Sequence, residues 1–221
     1  METWISGCVM AAVLASFWVL ASSRLLACLR AVALQGAALA ALPLLLLAAR
    51  GGVHGGTELG RTLLLAGASL GFKAGLMPWL LWRAIRTASI RREVEPLVGF
   101  GPSLLLGALL TGLAFWGAGR LGLPLEPVQR FVPAGGLATL FLGLLVLVGR
   151  TKAVTQVVGY LMVENGIFLV GLLLHHEMPL LVEAGILLDV FAGVLIMGIF
   201  AYRIQRTFDH MDTHNLVALK D

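Results

Sequence analysis

Four ionisable side chains stand in stretches that are otherwise apolar: Lys73, Glu164, Glu183 and Asp189. Glu164 is near the centre of residues 157–174, VVGYLMVENGIFLVGLLL, a run long enough to cross a bilayer. A charge at that depth is costly; translocon-based scales put a central Asp at roughly 2.5 to 3.5 kcal/mol. A carboxylate placed there is read first as a functional group, and the usual work of such groups is ion or proton handling.

Depth ties these residues together. The turn between the last two apolar runs centres near His176, and Glu164 precedes it by about as many residues as Asp189 follows it. Equal offsets in an antiparallel hairpin mean equal depth, roughly 18 Å from the turn at about 1.5 Å per residue. Lys73 lies a similar distance after Arg61 and reaches the same level. Three such groups at one depth suit a lateral hydrogen-bonded proton relay. Burial opposes each charged form and proximity favours the charged pair, so a neighbouring charge that moves can load or discharge a proton. The structural alternative is that Lys73 pairs with one acid and locks helix packing. One lysine does not neutralise three acids, so the surplus points to protonation or to a basic partner. Glu183, six residues before Asp189, is turned by about 120 degrees and displaced by about 9 Å, and so faces other neighbours.

The elements that position these groups follow from composition. Of the 221 residues 59% are hydrophobic and 13% charged, and the mean hydropathy is +0.93, which excludes a soluble globular domain. The expected fold is an all-α integral membrane protein. Seven transmembrane helices are expected at about 4–21, 29–49, 62–82, 97–118, 131–149, 153–174 and 179–202. They divide into a four-helix region, 1–130, and a three-helix region with a polar tail, 131–221. Arg24, Arg30, Arg83, Arg86, Arg91, Arg92, Arg150, Lys152, Arg203, Arg206 and Lys220 fall on one side, against Arg50, Arg61, Arg120 and Arg130 on the other. The positive-inside rule then puts the N-terminus outside and the C-terminus in the cytoplasm. No loop is long enough to fold as a soluble domain, so chemistry outside the bilayer falls to partners.

Other motifs exclude more than they suggest. Cys8 and Cys28 are too few and too far apart for a zinc or iron–sulfur ligand set. The five histidines fall at loops or in the tail, and the glycine-rich segment 51–56 lacks the Lys and Ser/Thr of a phosphate loop. The start has no basic n-region, so the first apolar run is expected to be a retained helix. Pro43, Pro78 and Pro102, with Gly101, Gly107, Gly112 and Gly117, are expected to serve kinks and close helix contacts.

Residues 159–172, GYLMVENGIFLVGL, followed by 178–189, MPLLVEAGILLD, resemble component E of hydrogenase-4. That family is a membrane subunit of energy-converting NiFe hydrogenase complexes related to respiratory complex I. The last three helices resemble the K-type subunit of complex I and the C-type component of multisubunit Na+/H+ antiporters, in which a glutamate on each of two helices lies on a proton path. By that resemblance Glu164 matches the first carrier and Asp189 the second, although it is Asp rather than Glu. Glu183 has no clear counterpart, and the resemblance lends no role to Lys73.

The resemblance implies a non-catalytic subunit, multi-pass in the cell inner membrane, that helps move protons while partners perform redox chemistry. It implies no cofactor in this chain, with NiFe and iron–sulfur centres in peripheral subunits. The expected neighbours are large antiporter-like subunits, a membrane anchor and the peripheral hydrogenase proteins, with no nucleic acid. The alternatives are a subunit of a cation/proton antiporter or other proton-driven complex, and a structural adaptor.

Overall fold

A computed structural model describes residues 2–49, 56–88, 97–120 and 131–174, together with Gly193 and Gly198. Every regular element among them is helical: α1 (Glu2–Ala21), α2 (Leu25–Ala49), α3 (Gly56–Ser69), a π-helical segment (Leu70–Leu76), α4 (Met77–Ala88), α5 (Phe100–Arg120), α6 (Phe131–Gly149) and α7 (Ala153–Leu174). Five of these helices, α1, α2, α5, α6 and α7, are long and apolar enough to cross a membrane. The chain is a multi-pass membrane protein.

The third expected span takes a different form. It is a contiguous helical run from α3 through the π segment to α4, and Pro78, at the start of α4, accounts for the wide turn. Pro78 has no N–H to give the carbonyl of Ala74, and its ring crowds that carbonyl. Just before it, the Met77 N–H reaches back five residues to Phe72 O, the spacing of a π turn. Lys73 is in the middle of this segment.

Helices α1, α2, α6 and α7 form the centre of the bundle, with α5 against α1 and α6, and the π segment and α4 against α2. The contact between α6 and α7 is the most intimate. A methyl on Gly143 would stand 2.6 Å from Val163 N, one on Gly159 2.7 Å from Leu147 N, and one on Gly166 2.5 Å from Leu140 N. Such spacing brings backbones together where lipid offers no hydrophobic drive for association. The glycines singled out on α5 behave otherwise. Gly107 meets Leu142 and Leu20, whereas Gly101, Gly112 and Gly117 have no atom within reach of an added Cβ. They do not serve helix contacts among the described residues.

The buried apolar side chains form two clusters stacked along the bundle. One takes Ile5, Val9 and Ala12 from α1, Leu39, Leu42 and Leu46 from α2, and Leu169 from α7. The other takes Val13, Val19 and Leu20 from α1, residues of α2 from Leu25 to Val32, and residues of α7 from Val154 to Met162. On α2 the gap between the two contains Gln35, and on α7 it contains Glu164 and Asn165. A polar layer is therefore closed above and below by packed hydrocarbon.

The last expected span, with Glu183 and Asp189, lies outside the described residues apart from Gly193 and Gly198, which are helical. A Cβ on Gly193 would be 3.4 Å from Met77 Cε, which sets that residue beside α4.

Candidate functional site

Lys73 reaches the polar layer from the π segment and Glu164 from α7. Their side chains form a salt bridge, with Lys73 Nζ donating to Glu164 Oε1. The side chains are 7% and 3% exposed, so the pair is withdrawn from solvent on both sides. Glu164 is near the middle of α7, roughly 16 Å from either end at about 1.5 Å per residue. Lys73 also donates to Asn165 Oδ1 at 3.4 Å and stands over the Phe168 ring, 4.7 Å from its centroid. Phe168 is one helical turn beyond Glu164, so α7 presents an anion, an amide and a ring face to one ammonium.

The polar layer continues from Asn165 onto α2 and α1. Asn165 Nδ2 donates to Gln35 Oε1 at 3.1 Å, and Gln35 Nε2 donates at 3.0 Å to both Ala12 O and Ser16 Oγ. Ser16 Oγ donates to Ala12 O, also at 3.0 Å. Ser16, Gln35 and Asn165 are all buried. Thr139 adds a hydroxyl on α6: its side-chain oxygen is buried with no hydrogen-bond partner among the described residues. The α6–α7 register sets it about level with Asn165, since Gly143 faces Val163 and Gly136 faces Gly166 and Val170.

Depth reasoning thus brings together Lys73 and Glu164, and the structure places them in direct contact. Glu183 and Asp189 are outside the described residues. Sequence reasoning passed over Ser16, Gln35 and Asn165. Gln35 had a signal, being the strongly polar side chain deep in the run Leu25–Ala49. Asn165 is adjacent to Glu164, but its orientation toward α2 follows from packing. Arg150 was also undervalued as a marker of topology alone. It is 2% exposed, donates from Nη2 to Leu20 O at 2.7 Å and lies over the Phe100 ring at 4.4 Å. A cation on a last-turn carbonyl of α1 complements that helix end.

Among the described residues no three His, Cys, Asp or Glu side chains converge to hold a metal ion. The arrangement suits charge and proton handling: one buried base and one buried acid in contact, with Asn165 as a further acceptor for the base.

Fold and site together define a polytopic helical membrane protein with a buried lysine–glutamate pair at mid-depth. The chain is 39% identical over 213 residues to a protein of Mycobacterium tuberculosis described as uncharacterised, covering 95% of this chain and 92% of that one. It is 35% identical over 150 residues to hydrogenase-4 component E of Escherichia coli K12, covering 67% of this chain and 68% of the relative, and the same figures hold for the Shigella flexneri protein of that name. The chain belongs to the hydrogenase-4 component E family. No family model and no solved structure matches it.

Proposed function

We infer that the chain is a membrane subunit of a complex I-related, energy-converting hydrogenase, in which Glu164 and Lys73 take part in proton translocation driven by redox chemistry in partner subunits. The observation that carries this reading is the Lys73–Glu164 pair, buried at mid-depth between two apolar clusters. An acid and a base in contact there exchange charge states at the least structural cost, because each alone is disfavoured in hydrocarbon. Kinship with hydrogenase-4 component E supplies the complex. NiFe and iron–sulfur centres then belong to peripheral partners, and antiporter-like and anchoring subunits to the membrane.

In this reading the contiguous run from α3 to α4 and residues 179–202 complete seven spans across the inner membrane, with the N-terminus outside and the tail in the cytoplasm. Asp189 is the second carrier. Its support is register: Gly193, four residues on from Asp189, lies beside Met77, four residues on from Lys73. The loop charges have both helices run inward, the direction this assignment requires.

A second reading draws on the completeness of the Lys73 coordination: an acid, an amide and a ring make a strong packing lock between α7 and the π segment. Proton uptake by proteoliposomes containing the intact complex separates the two. The Glu164→Gln variant keeps shape and hydrogen bonding but carries no proton, so uptake should collapse while the complex is present at normal abundance. Unchanged uptake would leave only the lock. The proteins that co-purify in mild detergent test the complex itself: NiFe and iron–sulfur proteins are expected, and a purely membrane assembly would indicate a cation/proton antiporter.

A further inference from the structure

The hydrogen-bonded arm running from Lys73 through Asn165 and Gln35 to Ser16 and Ala12 has a direction, and its two ends fix it. At one end an ammonium can only donate; at the other a backbone carbonyl can only accept. Ala12 O therefore requires the amide nitrogen of Gln35, which turns Gln35 Oε1 toward Asn165. That oxygen requires the amide nitrogen of Asn165, which turns Asn165 Oδ1 toward Lys73. Every donor in the arm points away from the lysine and every acceptor toward it. Gln35 commits both N–H groups, to Ala12 O and Ser16 Oγ, and Ser16 commits its own proton to the same carbonyl.

We propose that Asn165, Gln35 and Ser16 are positioning residues that hold Lys73 as a cation against Glu164 and close the α1 side of the polar layer to protons. This rests on the proton-handling reading of the pair. Acceptor dipoles aligned toward an ammonium in a water-poor layer stabilise its charge, and successive bonds in a chain polarise one another. The same alignment forbids conduction. For a proton to leave Lys73 along the arm, Asn165 would have to accept it on Oδ1 and release one from Nδ2, and Gln35 would have to do the same. Each carboxamide would pass into its imidic-acid form, and the proton would end on a carbonyl with no onward donor. Protons therefore enter and leave the pair through Glu164.

The test uses the intact complex in proteoliposomes, read for proton uptake, abundance of the assembled complex and thermal midpoint. Gln35→Met removes the arm's middle link at similar length, and uptake should fall about tenfold, the upper range of one lost neutral hydrogen bond. Gln35→Glu preserves the direction, since a carboxylic acid there still donates its O–H to Ala12 O and accepts from Asn165, and it should retain most of the uptake. The third readout is coupling. With Lys73→Met in place Asn165 is free to turn toward Glu164, so adding Gln35→Met should lower the thermal midpoint by less than it does alone. Residues that only fill space would give additive losses.

Normal uptake by Gln35→Met, equal impairment of Gln35→Glu and Gln35→Met, or additive thermal losses with Lys73→Met would each overturn the proposal. Should Gln35→Met alone fail to assemble, Gln35→Glu decides, assembly with most of the uptake kept supporting the arm and loss of uptake by the assembled variant refuting it. Glu164→Gln with normal uptake would instead sink the proton-handling reading itself, a result distinguishable from all of these.

Discussion

Gly36 and Lys73 meet backbone to backbone. A Cβ on Gly36 would stand 3.0 Å from Lys73 Cβ and 3.1 Å from both its carbonyl carbon and its oxygen. Only a residue without a side chain lets the π segment lie this close to α2. That closeness delivers the short reach of Lys73 into the polar layer, one residue along α2 from Gln35.

Gly36→Val should therefore push the π segment off α2 and weaken the Lys73–Glu164 contact. Overpacking of this kind costs about 1–3 kcal/mol, and here the obstructing atoms are main chain, which has little freedom to yield. The expected result is a lower thermal midpoint in detergent together with reduced proton uptake. A valine tolerated without loss of either would show that the π segment is not held by this contact.

Breaking the buried pair on one side leaves a charge without its partner, a loss of about 3–5 kcal/mol in protein interiors. Lys73→Met alone should destabilise the subunit strongly. Adding Glu164→Gln removes the stranded carboxylate and should restore much of the stability while leaving proton uptake abolished. Comparing thermal midpoint with uptake for the single and double substitutions separates packing from proton handling. Recovery of both together would assign the pair to packing.

The α6–α7 seam makes a contrast within one residue type. Gly143→Ala sets a methyl 2.6 Å from Val163 N, and neither helix can shift without disturbing the contacts at Gly159 and Gly166. Gly112→Ala meets nothing within 4 Å. The first should lower the yield of folded protein severely and the second should leave it unchanged, as read by size-exclusion profiles after detergent extraction. Equal behaviour would contradict the seam.

How much of this was legible beforehand depended on the kind of signal. Continuous apolarity bounded by charge or Gly–Pro breaks gave α6 and α7 at the expected limits and α1, α2 and α5 within a few residues, because the bilayer imposes a length that composition reports directly. Depth brought Lys73 and Glu164 together because helical rise is nearly constant. What depth does not encode is azimuth. Which faces meet was set by Gly36, Gly143, Gly159 and Gly166, whose role shows only once the neighbouring helix is in place, while the glycines chosen on α5 mostly face outward. The π turn before Pro78 was missed because a proline in a membrane span permits several accommodations, and the sequence alone does not choose among them. Arg150 does more than its place among the basic loop residues suggests, because it turns inward to cap α1.

The proposed second carrier is Asp189 rather than Glu183, the choice that sequence depth and family resemblance both favour. Six residues separate the two, so they differ by about 9 Å in depth and about 120 degrees in direction, and only one can stand level with Glu164. Gly193, four residues on from Asp189 in the sequence, is beside Met77, four residues on from Lys73. Asp189→Asn should accordingly reduce proton uptake by the assembled complex more than Glu183→Gln. Uptake normalised to the amount of assembled complex is the measurement. A reversed order, with both variants fully assembled, would move the carrier to Glu183 and refute the depth assignment of Asp189.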